Sequence, residues 1–271
     1  MIKAAEPPGK MEFRTNLDTN FIKIIAVVTM LIDHIGAIFF PYNMIFRLVG
    51  RIAFPLFCYC MTVGMVYTRD IGKYLLRLGI FALISQPCFT FAFHFDNFLP
   101  NLLFSYNVFF SLLLGLLGVW GLRKGGCWML LWPAAFAILG FGKFDYNALG
   151  LLYMTVFYLC RKKKVIGCLL TAFLMTAPSI AILIAGGFTN LPGYAFTKMI
   201  WTGNYPYSIG GLRLDLTVTT LLALPFIYIT TRIYPKLNRI LFYWIYPAHL
   251  LLFGLINLLF LQGRGFMQFT P

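Results

Sequence analysis

Charged residues are scarce in this chain, and acidic residues most of all. Asp and Glu account for 8 of the 271 residues and all charged residues for 11%, whereas apolar and aromatic residues make up 60%. Soluble domains carry about 25% charge, so a soluble protein is excluded, and the mean hydropathy of +0.81 indicates a membrane protein. The net charge of +14 is then explained by membrane topology and not by a nucleic-acid partner.

Histidine and closely spaced cysteine are also scarce, which argues against two further kinds of site. The chain has three His and six Cys, with no CxxC pair and no His at the spacing of metal ligands. We therefore expect neither a metal site nor a disulfide framework. The cysteines lie within or at the ends of apolar stretches, where they serve as small packing residues.

Long apolar stretches bounded by charge or by Gly and Pro are abundant. Because a membrane-spanning helix needs about 20 residues, the chain is predicted to be all-α, a polytopic transmembrane helix bundle with about nine spans, within a range of eight to ten. The predicted spans are Phe21–Phe40, Ile45–Val66, Tyr74–Phe93, Phe104–Leu122, Cys127–Phe141, Tyr146–Cys160, Val165–Ala185, Leu214–Thr231 and Ile240–Leu261.

Basic residues alternate between the connections of this pattern. One set of alternate connections holds 16 of the 22 Lys and Arg, and cytoplasmic loops retain such residues. The N-terminus is therefore predicted to be cytoplasmic. The chain divides into a cytoplasmic tail (1–20), a single transmembrane domain (21–262) with an outer loop (186–213), and a short C-terminal tail (263–271).

Ionisable and amide side chains inside the spans are candidate functional residues, because a charge near the bilayer centre costs about 2.5 to 3.5 kcal/mol. Under the predicted topology nearly all of them fall in the outer half, with His249 nearer the midplane. That common depth predicts a shared, water-accessible cavity that opens outward. The candidates are Asp33, His34, Arg51, Gln86, Asn107, Asp145, Tyr146, Asp215 and His249.

Asp33 and His34 are adjacent on one predicted helix, so their side chains point about 100° apart and need separate partners. We predict a buried ion pair between Asp33 and Arg51, which leaves His34 as a base or nucleophile. Pro247 removes a backbone donor and is expected to kink the last span just before His249. Asp145 and Asp215 open predicted spans, where a carboxylate at a helix N-terminus also has a purely stabilising interpretation.

Six segments, in this order and spacing, resemble the TraX family, whose named member acetylates the N-terminus of F-type pilin. Together they cover most of the chain. They are Lys23–Gly36, Arg47–Phe57, Lys73–Leu78 with Ala82–Pro87, Asn107–Phe110 with Leu114–Gly115, Asp145–Tyr146 with Gly150, and Tyr243–Leu252.

The resemblance implies an acetyltransferase of the bacterial cytoplasmic membrane, distantly similar to the heparan-alpha-glucosaminide N-acetyltransferase group. It implies acetyl-CoA as the acyl donor and an amine or hydroxyl of an envelope protein, sugar or lipid as the acceptor. His34 becomes the base or acyl carrier, with Asp33 and His249 as further catalytic residues. The substrate-binding candidates are Arg51, Gln86, Asn107, Asp145, Tyr146 and Asp215.

Two other functions fit the same intramembrane residues. A proton-coupled transporter would use Asp, His and Arg as a relay and would move a solute without releasing CoA. A non-enzymatic scaffold would tolerate neutral substitutions at Asp33 and His34. The resemblance favours the acetyltransferase.

Overall fold

A computed structural model describes residues 13–41, 43–185, 207–209, 212–214, 216–231, 233, 235 and 238–260. Most of them are helical. The α-helices are α1 (Thr19–Phe39), α2 (Met44–Gly50), α3 (Ala53–Tyr67), α4 (Ile71–Phe93), α5 (Phe98–Phe104), α6 (Val108–Lys124), α7 (Leu131–Phe141), α8 (Leu149–Leu159), α9 (Lys164–Ala185), α10 (Leu224–Tyr228) and α11 (Arg239–Phe260). Short 3₁₀ turns occupy Phe95–Asn97, Gly126–Leu130 and Leu216–Ala223.

Helical segments that are long and apolar enough to cross a membrane number four among the described residues. They are Thr19–Phe39, Met44–Tyr67, Ile71–Phe93 and Ile240–Leu259. A helix lies within each of the other predicted spans, but these helices do not all reach that length. The 11 residues of α8 rise only about 16 Å, against a hydrocarbon core of about 30 Å. A helical membrane protein is thus established, and the count of nine stays a prediction.

Polar residues fix where several helices begin. The side chains of Asp18, Asn43, Asp70 and Asn107 each accept a hydrogen bond from a backbone N–H of the following first turn. Such N-caps satisfy donors that have no partner within the helix. The backbone N–H of Lys73 also lowers the pKa of the exposed Asp70 carboxyl.

The second predicted span is interrupted in the first third of its length. α2 ends at Gly50, and Arg51 and Ile52 connect it to α3. Pro55 has no N–H to donate to the Arg51 carbonyl, and its ring crowds that carbonyl. The interruption places Arg51 at a bend and not on a continuous helix face.

The core surrounds α3, of which 11 of 15 residues are buried, and α3 packs against α1, α6 and α8. Cys58 and Cys60 are buried there, as expected for packing residues, whereas Cys127 is exposed. α4 packs along α11 on another side of the bundle. Helix α1 contacts both α2 and α11, and the predicted site lies along these contacts.

The connections rich in basic residues meet at one end of the bundle, which we call the basic end. The backbone N–H of Arg14 binds the Arg161 carbonyl at 2.9 Å, and the Arg123 guanidinium binds the Met65 carbonyl, at the end of α3, at 2.8 Å. The backbone N–H of Asn16 binds the Ile227 carbonyl at 2.9 Å. Connections assigned to one side of the membrane by charge therefore lie together in space.

A short hairpin departs from the all-α prediction. Strands β1 (Tyr207–Ile209) and β2 (Leu212–Leu214) pair antiparallel, with Ser208 opposite Arg213. Three-residue strands give no periodicity that an apolar-stretch analysis detects. Most of the predicted outer loop, and Asp215 with it, lies outside the described residues.

Candidate functional site

The two polar residues of α1 face different neighbours, as their adjacency predicts. The Asp33 side chain is directed towards α2 and that of His34 towards α11. Asp33 is buried, at 6% exposure, and His34 is partly buried. One turn of α1 thus supplies two separate interactions.

The ion pair of Asp33 forms with Arg47, so the predicted pairing with Arg51 is wrong. Arg47 Nη1 donates to Asp33 Oδ2 at 2.6 Å, and the other carboxylate oxygen has no hydrogen-bond partner among the described residues. A Cβ atom added at Gly50 would overlap the Asp33 carboxyl. The absence of a side chain at Gly50 therefore allows α1 and α2 to approach closely enough for the pair.

His34 is hydrogen-bonded to His249, which lies more than 200 residues away in the sequence. Nδ1 of His34 lies 2.6 Å from Nε2 of His249, and Nδ1 of His249 lies 2.7 Å from the Ile245 carbonyl oxygen. The two rings are nearly parallel, with 16° between their planes. We call these residues the histidine pair.

The positions of the hydrogens in the neutral histidine pair follow from the Ile245 carbonyl, which bonds to His249. A carbonyl oxygen only accepts, so Nδ1 of His249 must carry a hydrogen, and Nε2 of the same neutral ring accepts. Nδ1 of His34 must then be the donor to His249. The lone pair of the His34 ring is therefore on Nε2. No residue that the structure describes forms a hydrogen bond with that nitrogen.

Aromatic rings surround the pair. The centroid of Phe93 lies 5.3 Å from that of His34, and Phe253 lies 5.4 Å from His249. Tyr246 contacts both imidazoles, at 6.2 Å from His34 and 5.6 Å from His249. Helix α11 continues through Pro247, and the predicted kink before His249 stays a prediction.

A second group of site candidates lies beside Arg51. Its guanidinium lies over the Tyr146 ring, 5.9 Å from the centroid, and that ring stacks on Phe54 at 3.6 Å. Asp145 is exposed and interacts electrostatically with Arg47 and Arg51. His34 is within electrostatic range of both the Arg47 and the Arg51 guanidinium groups.

Gln86 and Asn107 form what we call the amide clasp. Asn107 Nδ2 donates to Gln86 Oε1 at 2.8 Å and to the Ala82 carbonyl at 2.9 Å, and its Oδ1 accepts from the Phe109 backbone. Gln86 Nε2 donates to the Ser105 carbonyl at 2.6 Å. These contacts join α4 to the start of α6, whose residue Phe109 packs on Tyr246 at 4.7 Å.

Three residues of the site were missed by the sequence analysis. Arg47 and Gly50 lie within the TraX-like segment Arg47–Phe57 and Tyr246 within Tyr243–Leu252, but none of the three was a predicted site residue. A signal existed for Arg47, since its distance of four residues from Arg51 puts two cations within about one helical turn in an apolar stretch. Among the described residues, no group of three or more His, Cys, Asp or Glu is arranged to hold a metal ion.

A family model described as TraX protein matches residues 18–257. The chain belongs to the TraX family. The match includes the Asp33–Arg47 ion pair, the histidine pair and Arg51, so every contact just described lies within the region that defines TraX proteins.

Two curated proteins resemble this TraX-family chain. The probable fimbrial assembly protein FimC, serogroup H1, of Dichelobacter nodosus is 35% identical over 107 residues, which cover 36% of this chain and 43% of that protein. An uncharacterized protein of Rickettsia prowazekii (strain Madrid E) is 25% identical over 214 residues, 74% of this chain and 75% of that one. No solved structure matches this TraX-family protein.

Proposed function

We propose that this protein is an integral membrane acetyltransferase that moves an acetyl group from acetyl-CoA to an amine or hydroxyl of an envelope acceptor. The observation that carries the proposal is the hydrogen-bond chain from the Ile245 carbonyl through His249 to His34. It presents an imidazole lone pair at Nε2 of His34, which is the group that acyl transfer needs as a base.

The proposed step balances as follows. His34 Nε2 removes the proton from the acceptor nitrogen or oxygen while that atom bonds to the acetyl carbon, and the carbonyl electron pair moves onto oxygen. The C–S bond then breaks, the carbonyl re-forms, and the proton on His34 passes to the departing thiolate, giving free CoA. The imidazolium formed in between is stabilised by its Nδ1–H bond to His249.

Arg51 is the proposed electrostatic stabiliser of the oxyanion. Its guanidinium remains charged at any physiological pH and is within range of His34. The Asp33–Arg47 pair holds α1 against α2 and so fixes where His34 and Arg51 lie relative to one another. Asp145 and Tyr146 flank Arg51 and complete the proposed acceptor site.

The proposed topology puts the N-terminus in the cytoplasm of a bacterial cell, in the cytoplasmic membrane, with nine spans. The basic end then faces cytoplasmic acetyl-CoA, and its Lys and Arg are available to the CoA phosphates. Acetyl groups reach the histidine pair either on an acyl-histidine or along a pantetheine arm between helices. Reporter fusions to the connections after α3, α4 and α6 test this order, which requires cytoplasmic, external and cytoplasmic signals in turn.

The acceptor is a protein, sugar or lipid of the envelope. A pilin-type subunit is supported by the resemblance to a protein named for fimbrial assembly and by membership of the TraX family. The matched part covers under half of that relative, so the acceptor is to be identified by experiment.

The test is CoA release from acetyl-CoA by the purified full chain in nanodiscs, with envelope extract of the host as acceptor. We expect release that requires the extract and is abolished in His34→Ala. His94→Ala is the matched control, because His94 lies at the end of α4 and outside the histidine pair. It is the third histidine of the chain, and burial lowers the pKa of its imidazole. Solute flux without CoA release would overturn the proposal in favour of a proton-coupled transporter.

A further inference from the structure

The hydroxyl of Tyr246 is a buried polar group that the mechanism above does not use. Tyr246 is 3% exposed, and its O–H has no acceptor within 3.5 Å among the described residues. A buried hydroxyl without an acceptor is destabilising, so this arrangement needs a reason.

The position of Tyr246 supplies one. Its ring contacts both members of the histidine pair and packs on Phe109, in the first turn of α6, at 4.7 Å. Helix α6 has 17 residues, and the N-terminus of a helix carries partial positive charge. A donor proton and a helix N-terminus thus meet next to the proposed base.

We propose that the Tyr246 hydroxyl donates a hydrogen bond to the acetyl carbonyl oxygen, and binds it most tightly when that oxygen becomes the tetrahedral oxyanion. This inference rests on the proposed function. The bond forms as the carbonyl electron pair moves onto oxygen and weakens when the C–S bond breaks, and no proton leaves Tyr246. Arg51 then acts through charge at longer range, and Tyr246 acts by direct contact.

The geometry suits this division. A base and an oxyanion donor reach one tetrahedral intermediate when each makes a hydrogen bond of about 2.8 Å to neighbouring atoms on the same carbon. The ring centroids of His34 and Tyr246 lie 6.2 Å apart, so the proposed base and the proposed donor are neighbouring side chains. Phe109, in the first turn of α6, packs on the Tyr246 ring at 4.7 Å.

The test compares Tyr246→Phe with the native chain in nanodiscs, using acetyl-CoA and envelope extract, and measures both CoA release and thermal unfolding. We expect the rate constant for release to fall about 100-fold, the usual loss for one oxyanion donor. Thermal stability should be unchanged or higher, because Phe removes a hydroxyl without an acceptor. Tyr243→Phe is the matched control, since this tyrosine lies one turn earlier on α11 and stacks on Phe81.

The remaining outcomes separate this inference from the function on which it rests. Full activity of Tyr246→Phe, or an equal loss in Tyr243→Phe, overturns the inference while the acetyltransferase stands. A loss of activity with lower thermal stability also overturns it, because the hydroxyl would then have a structural partner. If the native chain releases no CoA, the proposed function fails and the inference fails with it.

Discussion

The amide clasp and the histidine pair are both polar clusters between helices, and they use their hydrogen-bonding groups differently. Each polar atom of the Gln86 and Asn107 side chains is engaged in a contact with the clasp partner or a backbone group. In the histidine pair, Nε2 of His34 is left without a partner among the described residues. Polar groups that are fully paired within a membrane hold helices together, whereas unused capacity indicates chemistry.

The same contrast divides the two sides of α1. On the α2 side, Asp33 forms an ion pair with Arg47, and the absence of a side chain at Gly50 leaves room for the Asp33 carboxyl. On the α11 side, His34 meets neutral rings. Substitutions on the first side should therefore affect stability most, and substitutions on the second should affect the rate of acetyl transfer.

The largest loss of stability is expected from Arg47→Ala. It leaves the buried Asp33 carboxylate without its ion-pair partner, and breaking a buried pair costs about 3 to 5 kcal/mol. Arg51→Ala should cost less, because Arg51 is not the direct partner of Asp33. Denaturant unfolding of both variants in detergent measures the difference. An equal or larger loss for Arg51→Ala would contradict the pairing, and adding Asp33→Asn to Arg47→Ala should recover part of the loss.

Breaking the amide clasp should cost stability and spare the chemistry. Asn107→Ala removes the N-cap of α6 and two further hydrogen bonds, for a combined loss of about 2 to 3 kcal/mol. The rate of CoA release per folded molecule should stay within about twofold. Asn101→Ala is the control, because that amide binds only residues of its own short segment. A rate loss as large as that of His34→Ala would place the clasp in the active site.

Gly50→Ala tests the close approach of α1 and α2. The added methyl group overlaps the Asp33 carboxyl, so the helices must separate, at a cost of about 2 kcal/mol. Gly79→Ala in α4 is the matched control, because its new methyl group meets Leu113 at an ordinary 3.7 Å and alanine favours a helix. Thermal unfolding should therefore show a loss for Gly50→Ala and none for Gly79→Ala.

The sequence predicted which segments are apolar helices more reliably than how their side chains pair. Apolar length and N-cap residues such as Asp18 and Asn107 are local signals, and helices follow from them. The contact between His34 and His249 was not predicted, because the predicted depth put His249 nearer the midplane and their separation of 215 residues leaves no local signal. The two-stranded hairpin was missed for a related reason, since its strands are too short to show alternation.

The wrong partner for Asp33 has a specific cause. Arg51 was the only basic residue among the predicted intramembrane candidates, and Arg47 lies four residues before it. The helix is interrupted at Arg51 and Ile52, and the Arg51 guanidinium lies over the Tyr146 ring. Pro55 was visible in the sequence, and the rule that proline disturbs the bond to the residue four before it predicts the bend at Arg51.

The smallest effect is expected at His249. It tests whether this residue positions His34 or itself reacts with the substrate. If His249 fixes the tautomer of His34 without touching the substrate, it is a positioning residue. His249→Leu removes the acceptor for Nδ1–H and should lower CoA release about 10-fold, equal to about 1.4 kcal/mol. His249→Gln keeps an acceptor and should stay within about threefold. Nitrogen-15 NMR of His34 should show an unprotonated Nε2 in the native chain and a mixture of tautomers in His249→Leu. Equal losses in the Leu and Gln variants, with the native tautomer retained, would instead make His249 a group that reacts with substrate, and the proton would then travel through both rings.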